Sequence, residues 1–271
     1  MPGRALPAVG SRPVSAPWLV AFGLVGLAIG SFLSVVVHRV PRRGSVVRPR
    51  SRCPSCGAQL RARDNLPVVS YVLLRGRCRS CRTRIPALYP FLELATAALF
   101  AGAAAAFDRP YEAAVMAAFL AVLLALSVID ARHRILPNRI VYPSITAFAL
   151  LLAAGALAGE GFDLRGALVG FLGYGGGLLL VALVSPRGMG MGDVKLAALI
   201  GLVVGSLGAG RVLVAAGVGI LLGGLAAIAA LLSGRGRKQA IPFGPFLAAG
   251  AAAAVLAGER LARLYLDLVL R

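Results

Sequence analysis

Long apolar segments alternate with short polar segments along almost the whole chain. A helix needs about 20 mostly apolar residues to cross the hydrocarbon core of a bilayer. The pattern predicts eight such segments, and the sixth is short and rich in glycine. We therefore expect an all-α polytopic membrane protein with about eight transmembrane helices. The predicted spans are 17–37, 87–107, 111–129, 140–158, 164–184, 194–207, 212–232 and 243–266.

The first apolar segment also has the length of a signal-peptide core. Its upstream flank holds only Arg4 and Arg12, the flank after it is far more basic, and no small-x-small cleavage site is evident. A signal peptide carries its positive charge before the apolar core, so we expect a retained helix. The predicted organisation is a tail over 1–16, a first transmembrane helix over 17–40, a cysteine loop domain over 41–86, and a seven-helix membrane domain over 87–271.

Composition separates this chain from soluble proteins. Apolar residues make up 59% of the sequence and charged residues 14%, whereas about a quarter of a soluble domain is charged. An ordinary soluble enzyme is therefore excluded, and so is a disordered chain, which needs low hydrophobicity. The formal net charge is +19, but no basic stripe with interleaved aromatic residues is present. We therefore predict no nucleic-acid partner.

The basic residues indicate the orientation in the membrane. With the N-terminus outside and eight spans, 21 of the 29 basic residues fall on the inner side and eight on the outer side. Positive residues concentrate in cytoplasmic loops, so the sequence predicts a cytoplasmic cysteine loop. Thirteen arginines lie between Arg39 and Arg84. We expect them to attract anionic lipid headgroups, at about 1 kcal/mol per basic residue near the surface.

All four cysteines lie in the first loop and form two short motifs. Cys53 and Cys56 are separated by two residues, 21 residues follow, and Cys78 and Cys81 repeat the spacing. Paired CxxC motifs of this kind are typical of a tetrahedral thiolate zinc site. We predict a structural zinc ion, because no open coordination position is evident. A redox-active cysteine pair is the alternative, although thiols in the cytoplasm stay reduced.

Four carboxylates fall in or near the cytoplasmic half of the predicted membrane domain: Asp64, Glu93, Asp130 and Asp193. Carboxylates near the ends of apolar spans are costly and are candidates for function. The alternative for each is a structural role at the interface, solvated or paired with arginine. A proton-coupled transporter that uses Glu93, Asp130 and Asp193 is one functional hypothesis, although no internal repeat supports it.

Two of these carboxylates suggest hydrolytic chemistry. Asp130 ends the third span and Asp193 opens the sixth, so both lie at the same membrane surface. Two adjacent carboxylates can divide the work of an aspartic protease: the ionised one activates water and the protonated one polarises the scissile carbonyl. Gly190 and Gly192 precede Asp193, where glycine permits unusual backbone angles and the close approach of another chain to the aspartate. No Gly-x-Ser-x-Gly motif is present.

The chain resembles the bacterial type IV prepilin peptidases, membrane aspartic proteases with a GxGD motif. Ser34 stands where that family has asparagine, and Met191 occupies the variable position of the motif. The resemblance covers nearly the whole chain. It rests on segments 30–41, 52–57, 64–67, 75–81, 89–94, 190–196 and 241–246, together with Asp130 and the Leu-Pro pair at 136–137.

The resemblance implies an activity and a location. Asp130 and Asp193 would be the catalytic pair of an inner-membrane endopeptidase that removes the leader of prepilins or pseudopilins at the cytoplasmic face. The cysteine domain would take part in N-methylation of the new N-terminus by S-adenosylmethionine. Glu93 would be structural or contact the substrate, and Lys195 would pair with a lipid or steady a developing charge.

Overall fold

A computed structural model describes residues 15–48, 50–185, 189–233 and 242–269, and the side chains within them except those of 62 and 259–269. Some sequence-based expectations concern residues outside these ranges. They are the tail over 1–14 with its two arginines, Ile241 of the last similar segment, and five residues of the charge count: Arg187, Arg235, Arg237, Lys238 and Arg271.

Within the described residues the fold is helical and has no strand, which confirms the predicted all-α class. Six helices are long and apolar enough to cross a membrane, namely α1, α3, α4, α5, α6 and α8. Helix α7 has only 15 residues. The helices are α1 Ala16–Arg39, α2 Val69–Leu73, α3 Leu88–Ala106, α4 Pro110–His133, α5 Asn138–Leu157, α6 Leu164–Val184, α7 Met191–Gly205, α8 Ala209–Leu232 and α9 Gly244–Val269.

The eight predicted spans correspond to these helices with shifted ends. The first span and α1 agree closely, but the sixth begins three residues earlier than predicted, at Met191. Helix α4 continues to His133, so Asp130 lies inside the helix, in its last turn. Arg134 then ends α4 in a left-handed conformation, with φ 54°. Its N–H donates to the carbonyl of Asp130 at 2.8 Å.

Helices α4 and α7 form the interior of the bundle. In α4, 61% of the most apolar window is buried, against at most 33% in the other five long helices. Helix α7 is apolar on nearly all sides, and Leu196, Leu199 and Ile200 are fully buried. A helix that is apolar all round is expected inside a bundle. The two candidate aspartates are therefore carried by two extensively buried helices.

Helices α6 and α7 pack with their backbones in direct contact. The facing positions are glycines, and a Cβ atom added at any of them would overlap a backbone carbonyl of the other helix. Small residues permit this close approach, which is a common basis of helix association in membranes. The glycines are Gly166 and Gly170 of α6 and Gly201 and Gly205 of α7.

We predict that Gly170→Val destabilises the bundle, because its side chain would collide with the backbone at Gly201. Overpacking of this kind costs about 1–3 kcal/mol, and the thermal unfolding temperature in detergent should fall. Gly173→Val is the matched control, since Gly173 lies on the same helix and faces open space. Equal unfolding temperatures for the two variants would contradict the packing described here.

Candidate active site and metal centre

The two cysteine motifs adopt the same backbone fold. The N–H of Cys53 and of Cys78 each donates to the carbonyl five residues later, at 2.9 and 2.8 Å. The carbonyl of each cysteine accepts from the N–H four residues later. That fourth residue has positive φ in both motifs, 70° at Gly57 and 60° at Arg82. The repeated spacing in the sequence therefore corresponds to a repeated turn, which we call the two knuckles.

The two knuckles bring the four sulfur atoms together. All four Sγ atoms lie within 4.8 Å of one another, and those of Cys53 and Cys81 are 3.8 Å apart. Four sulfurs at about 2.3 Å from a tetrahedral zinc ion would be separated by about 3.8 Å. Backbone N–H groups of Cys56 and Ser55 lower the pKa of Cys53, which favours the ligating thiolate. The cluster fits one four-coordinate metal ion better than two separate redox pairs.

Asp64 has a structural partner. Its Oδ1 accepts hydrogen bonds from Nε and Nη2 of Arg79, at 2.9 and 2.7 Å. The side chain of Asp64 is only 6% exposed, and the hydrogen bond from Arg79 lowers its pKa. The pair joins the second knuckle to the 3₁₀ turn Ala62–Asn65. Asp64 therefore has the structural role that was the alternative to a functional one, because it is paired with an arginine.

Glu93 lies in α3, at the boundary between the bundle and the cysteine loop. Its side chain is 8% exposed, and Oε2 accepts the N–H of Val68 at 2.7 Å. Val68 has φ 59° and ψ −48°, and the N–H of Val69 donates across it to the carbonyl of Pro67. This is a strained γ-turn. Within the described residues, no hydrogen bond or ion pair joins Glu93 to either candidate aspartate.

Asp130 and Asp193 meet at one end of the bundle. Asp130 is 6% exposed and lies in the last turn of α4, whereas Asp193 is half-buried in the first turn of α7. They are close enough for the charge of Asp130 to act on Asp193. The two residues predicted to form a catalytic pair therefore lie at the same end of the bundle, within range of each other's charge, although 62 residues of sequence separate them.

A third helix contributes to this site. The N–H of Gly244, the first residue of α9, donates to Oδ2 of Asp130 at 3.0 Å. The first N–H groups of a helix have no partner within the helix, and they favour a negative group. A Cβ atom at Gly244 would lie 2.7 Å from Oδ2 of Asp130. Gly244 was not among the site residues predicted from the sequence. The only feature that marks it there is the Pro-Phe-Gly-Pro segment at 242–245.

The glycines before Asp193 allow close approach rather than unusual angles. A Cβ atom at Gly192 would lie 3.1 Å from Cβ of Leu136, so the turn after α4 packs against the start of α7. Gly190 precedes α7 with φ −79°, and neither glycine is among the described residues with positive φ. The expectation of unusual backbone angles was therefore wrong, because ordinary extended and helical conformations suffice here.

Lys195 contacts the neighbouring helix α5. Its Nζ donates to Oδ1 of Asn138 at 3.1 Å and lies 4.9 Å from the ring centre of Tyr142. Both partners are protein groups, and they attach the first turns of α7 and α5 to each other. A cation over an aromatic ring contributes about 0.5–1 kcal/mol at an exposed site. These contacts account for Lys195 without a role in the reaction.

Comparison with known proteins identifies the family to which the chain belongs. Residues 117–257 match the type IV leader peptidase family. The chain belongs to this family. Residues 24–107 also match the bacterial peptidase A24 N-terminal domain. The two matches together cover the knuckles, Glu93, both aspartates and Gly244. As a type IV leader peptidase family member, the chain gives no support to the transporter hypothesis.

The type IV leader peptidase family includes relatives that match over most of their length. All three cited here are named prepilin leader peptidase/N-methyltransferase. The protein of Burkholderia pseudomallei (strain 1026b) is 39% identical over 88% of this chain and 85% of its own. The protein of Bacillus subtilis (strain 168) is 35% identical over 91% of this chain and 97% of its own length. The protein of Pseudomonas aeruginosa is 36% identical over 90% of this chain and 92% of its own length. No solved structure matches.

We predict that the purified protein binds about one divalent metal ion per chain through the four cysteines. Cys53→Ser should lower the metal content measured by inductively coupled plasma mass spectrometry, because a hydroxyl group is a poor replacement for a thiolate as a metal ligand. Ser55→Ala is the control, since it alters the same knuckle and leaves all four sulfurs. Full metal content in Cys53→Ser, or linked cysteines in metal-free protein, would contradict this site.

Proposed function

We propose that this chain is a membrane aspartic endopeptidase that removes the leader from type IV prepilins or pseudopilins, with Asp130 and Asp193 as the catalytic residues. The observation that carries the proposal is the meeting of the two aspartates at one end of the bundle, on the two innermost helices. Membership of the leader peptidase family supplies the reaction class. The relatives' printed names supply the prepilin as substrate.

The geometry supports a division of work between the two carboxylates. The N–H of Gly244 fixes Oδ2 of Asp130, which leaves Oδ1 to contact a water molecule. The ionised carboxylate takes a proton from this water as the water oxygen bonds to the scissile carbonyl carbon, and the other carboxyl group, in its protonated form, donates a hydrogen bond to the carbonyl oxygen. The carbon–nitrogen bond then breaks, and the leaving nitrogen takes the proton that the first carboxylate removed from water, which gives the new amine.

The cytoplasmic membrane face is the proposed location of this reaction. The predicted topology supports it, because it assigns 21 of the 29 basic residues to the side of the cysteine loop, of the end of α4 and of the start of α7. The loop arginines would bind anionic lipid headgroups of the bacterial inner membrane. A structural zinc ion in the two knuckles would hold this loop, which has few buried apolar residues of its own.

We further propose that the chain methylates the new N-terminus. A cavity of about 530 Å³ lies between the cysteine loop and helices α1 and α3, within the usual range of ligand pockets. Tyr71 and Tyr89 offer aromatic surfaces to the adenosine part of S-adenosylmethionine, and Arg39 and Arg42 offer positive charge to its carboxylate. When bound, this cofactor would supply the methyl group. The relatives' names, N-methyltransferase, support the assignment.

Asp130→Asn and Asp193→Asn should each reduce prepilin cleavage by about 10³-fold or more, because an amide can serve neither as base nor as acid. The rate of leader removal from a model prepilin in detergent would be measured. Asp108→Asn is the control, since Asp108 is an exposed aspartate before the first residue of α4, at the other end of that helix. Full activity of either active-site variant would refute the aspartic mechanism.

Gly244→Ala should lower the cleavage rate by about tenfold or more, because the added methyl group would displace the carboxylate of Asp130,. The same assay checks it. Gly224→Ala serves as the matched control, because Gly224 belongs to the neighbouring helix α8 and faces open space. If the two alanine variants cleave at the same rate, the contact between Gly244 and Asp130 has no part in the reaction.

A further inference from the structure

The cavity beneath the cysteine loop adjoins the proposed peptidase site. Its membrane-side wall includes Ser34 of α1 and Glu93 of α3, and its opposite wall includes Cys53 and Cys78. Residues 132 and 133 also line it, and they follow Asp130 in the last turn of α4. A peptide end produced at the aspartates would therefore be released within about one helical turn of residues that line this cavity.

The lining of the cavity contains two carboxylates, and only one of them is available to a ligand. Asp64 is neutralised by its two hydrogen bonds from Arg79. Glu93 has no cationic partner among the described residues. Arginines also contribute to the lining, among them Arg39, Arg42 and Arg132. A cation that enters this basic surrounding is therefore attracted to one place, the carboxylate of Glu93.

The carboxylate of Glu93 is held in a fixed position. Its Oε2 accepts the N–H of Val68 at the strained γ-turn. Gly30 of α1 lies against the backbone of Glu93, where an added Cβ would be 2.6 Å from its Cα. Oε1 has no hydrogen bond among the described residues. The side chain is 8% exposed, so one oxygen is anchored and the other remains for a ligand.

We propose that Oε1 of Glu93 binds the α-amino group of the newly cleaved N-terminus. The proposal rests on the methylation proposed above and names the site of the acceptor. The incoming end is an ammonium group, which has no lone pair to share. One proton must leave this ammonium for water before its nitrogen has a lone pair to share, and Oε1 would hold the nitrogen in place by accepting one of its remaining N–H groups.

A two-by-two binding experiment tests this contact without any methyl donor. Peptides of the mature N-terminal segment of a model pilin, with a free or an acetylated amino end, would be titrated into the full-length protein in detergent. The free amine should bind the unmodified protein about tenfold more tightly, as expected for a charge-assisted hydrogen bond. In Glu93→Gln this ratio should fall to about one. Glutamine can still accept the N–H of Val68.

Glu112→Gln is the matched control for this experiment. Glu112 also accepts a single backbone N–H, that of Gly161 at 2.8 Å, but it lies in the first turn of α4, at the opposite end. It should keep the tenfold ratio, and so should Asp130→Asn. Metal content verifies that the knuckles of Glu93→Gln are folded. Should that variant lose its metal, Glu93→Asp takes its place, and it should keep part of the ratio because it retains the charge.

Three outcomes would overturn the proposal. The first is an unchanged affinity ratio in Glu93→Gln, and the second is a ratio lost instead in Asp130→Asn. The third is a ratio of about one in Glu93→Asp, in which the free peptide binds no more tightly than the acetylated one. Binding of S-adenosylhomocysteine, measured by calorimetry, should be the same in Glu93→Gln and the unmodified protein. A loss of that binding with the ratio intact would make Glu93 a partner of the cofactor. Failure of methylation itself is distinguishable, because the unmodified protein would then yield a cleaved and unmethylated pilin by mass spectrometry.

Discussion

A carboxylate inside an apolar bundle must have a polar neighbour, because an isolated buried charge is far more costly than a paired one. This requirement explains much of the arrangement around Asp130. The carboxylate lies in the last turn of α4, and the first N–H of α9 reaches it. Asp193 joins it from the first turn of α7. The end of α4 and the starts of α7 and α9 must therefore lie close together, and the packing of the helices brings them there.

The cysteine loop is attached to the bundle by the same principle. Glu93 is a carboxylate inside an apolar helix, and its polar neighbour is the N–H of Val68 in the loop. The loop itself contains few buried apolar residues. Its order instead comes from the two knuckles and from the pairing of Asp64 with Arg79. Polar contacts and the clustered cysteines thus take the place of a hydrophobic core in this part of the chain.

The features that could be predicted from the sequence are those with a local signal. Hydropathy marks each long helix, the repeated CxxC spacing marks the cysteine cluster, and the distribution of arginine places Asp130 and Asp193 at the same surface. The contact of Gly244 with Asp130 and the hydrogen bond of Lys195 to Asn138 were not predictable. They join residues far apart in the sequence, and glycine in a glycine-rich chain is not a distinctive signal.

The short length of α7 has a consequence for the supply of water. Fifteen residues extend about 22 Å along a helix axis, which is less than the hydrocarbon thickness of about 30 Å. An interior helix shorter than the bilayer leaves at least one of its ends below the membrane surface. Asp193 lies in the first turn of α7, so the interface can reach the aspartates there. Hydrolysis consumes one water molecule per peptide bond, and the short interior helix would bring its polar first turn, with Asp193, within reach of water from the interface.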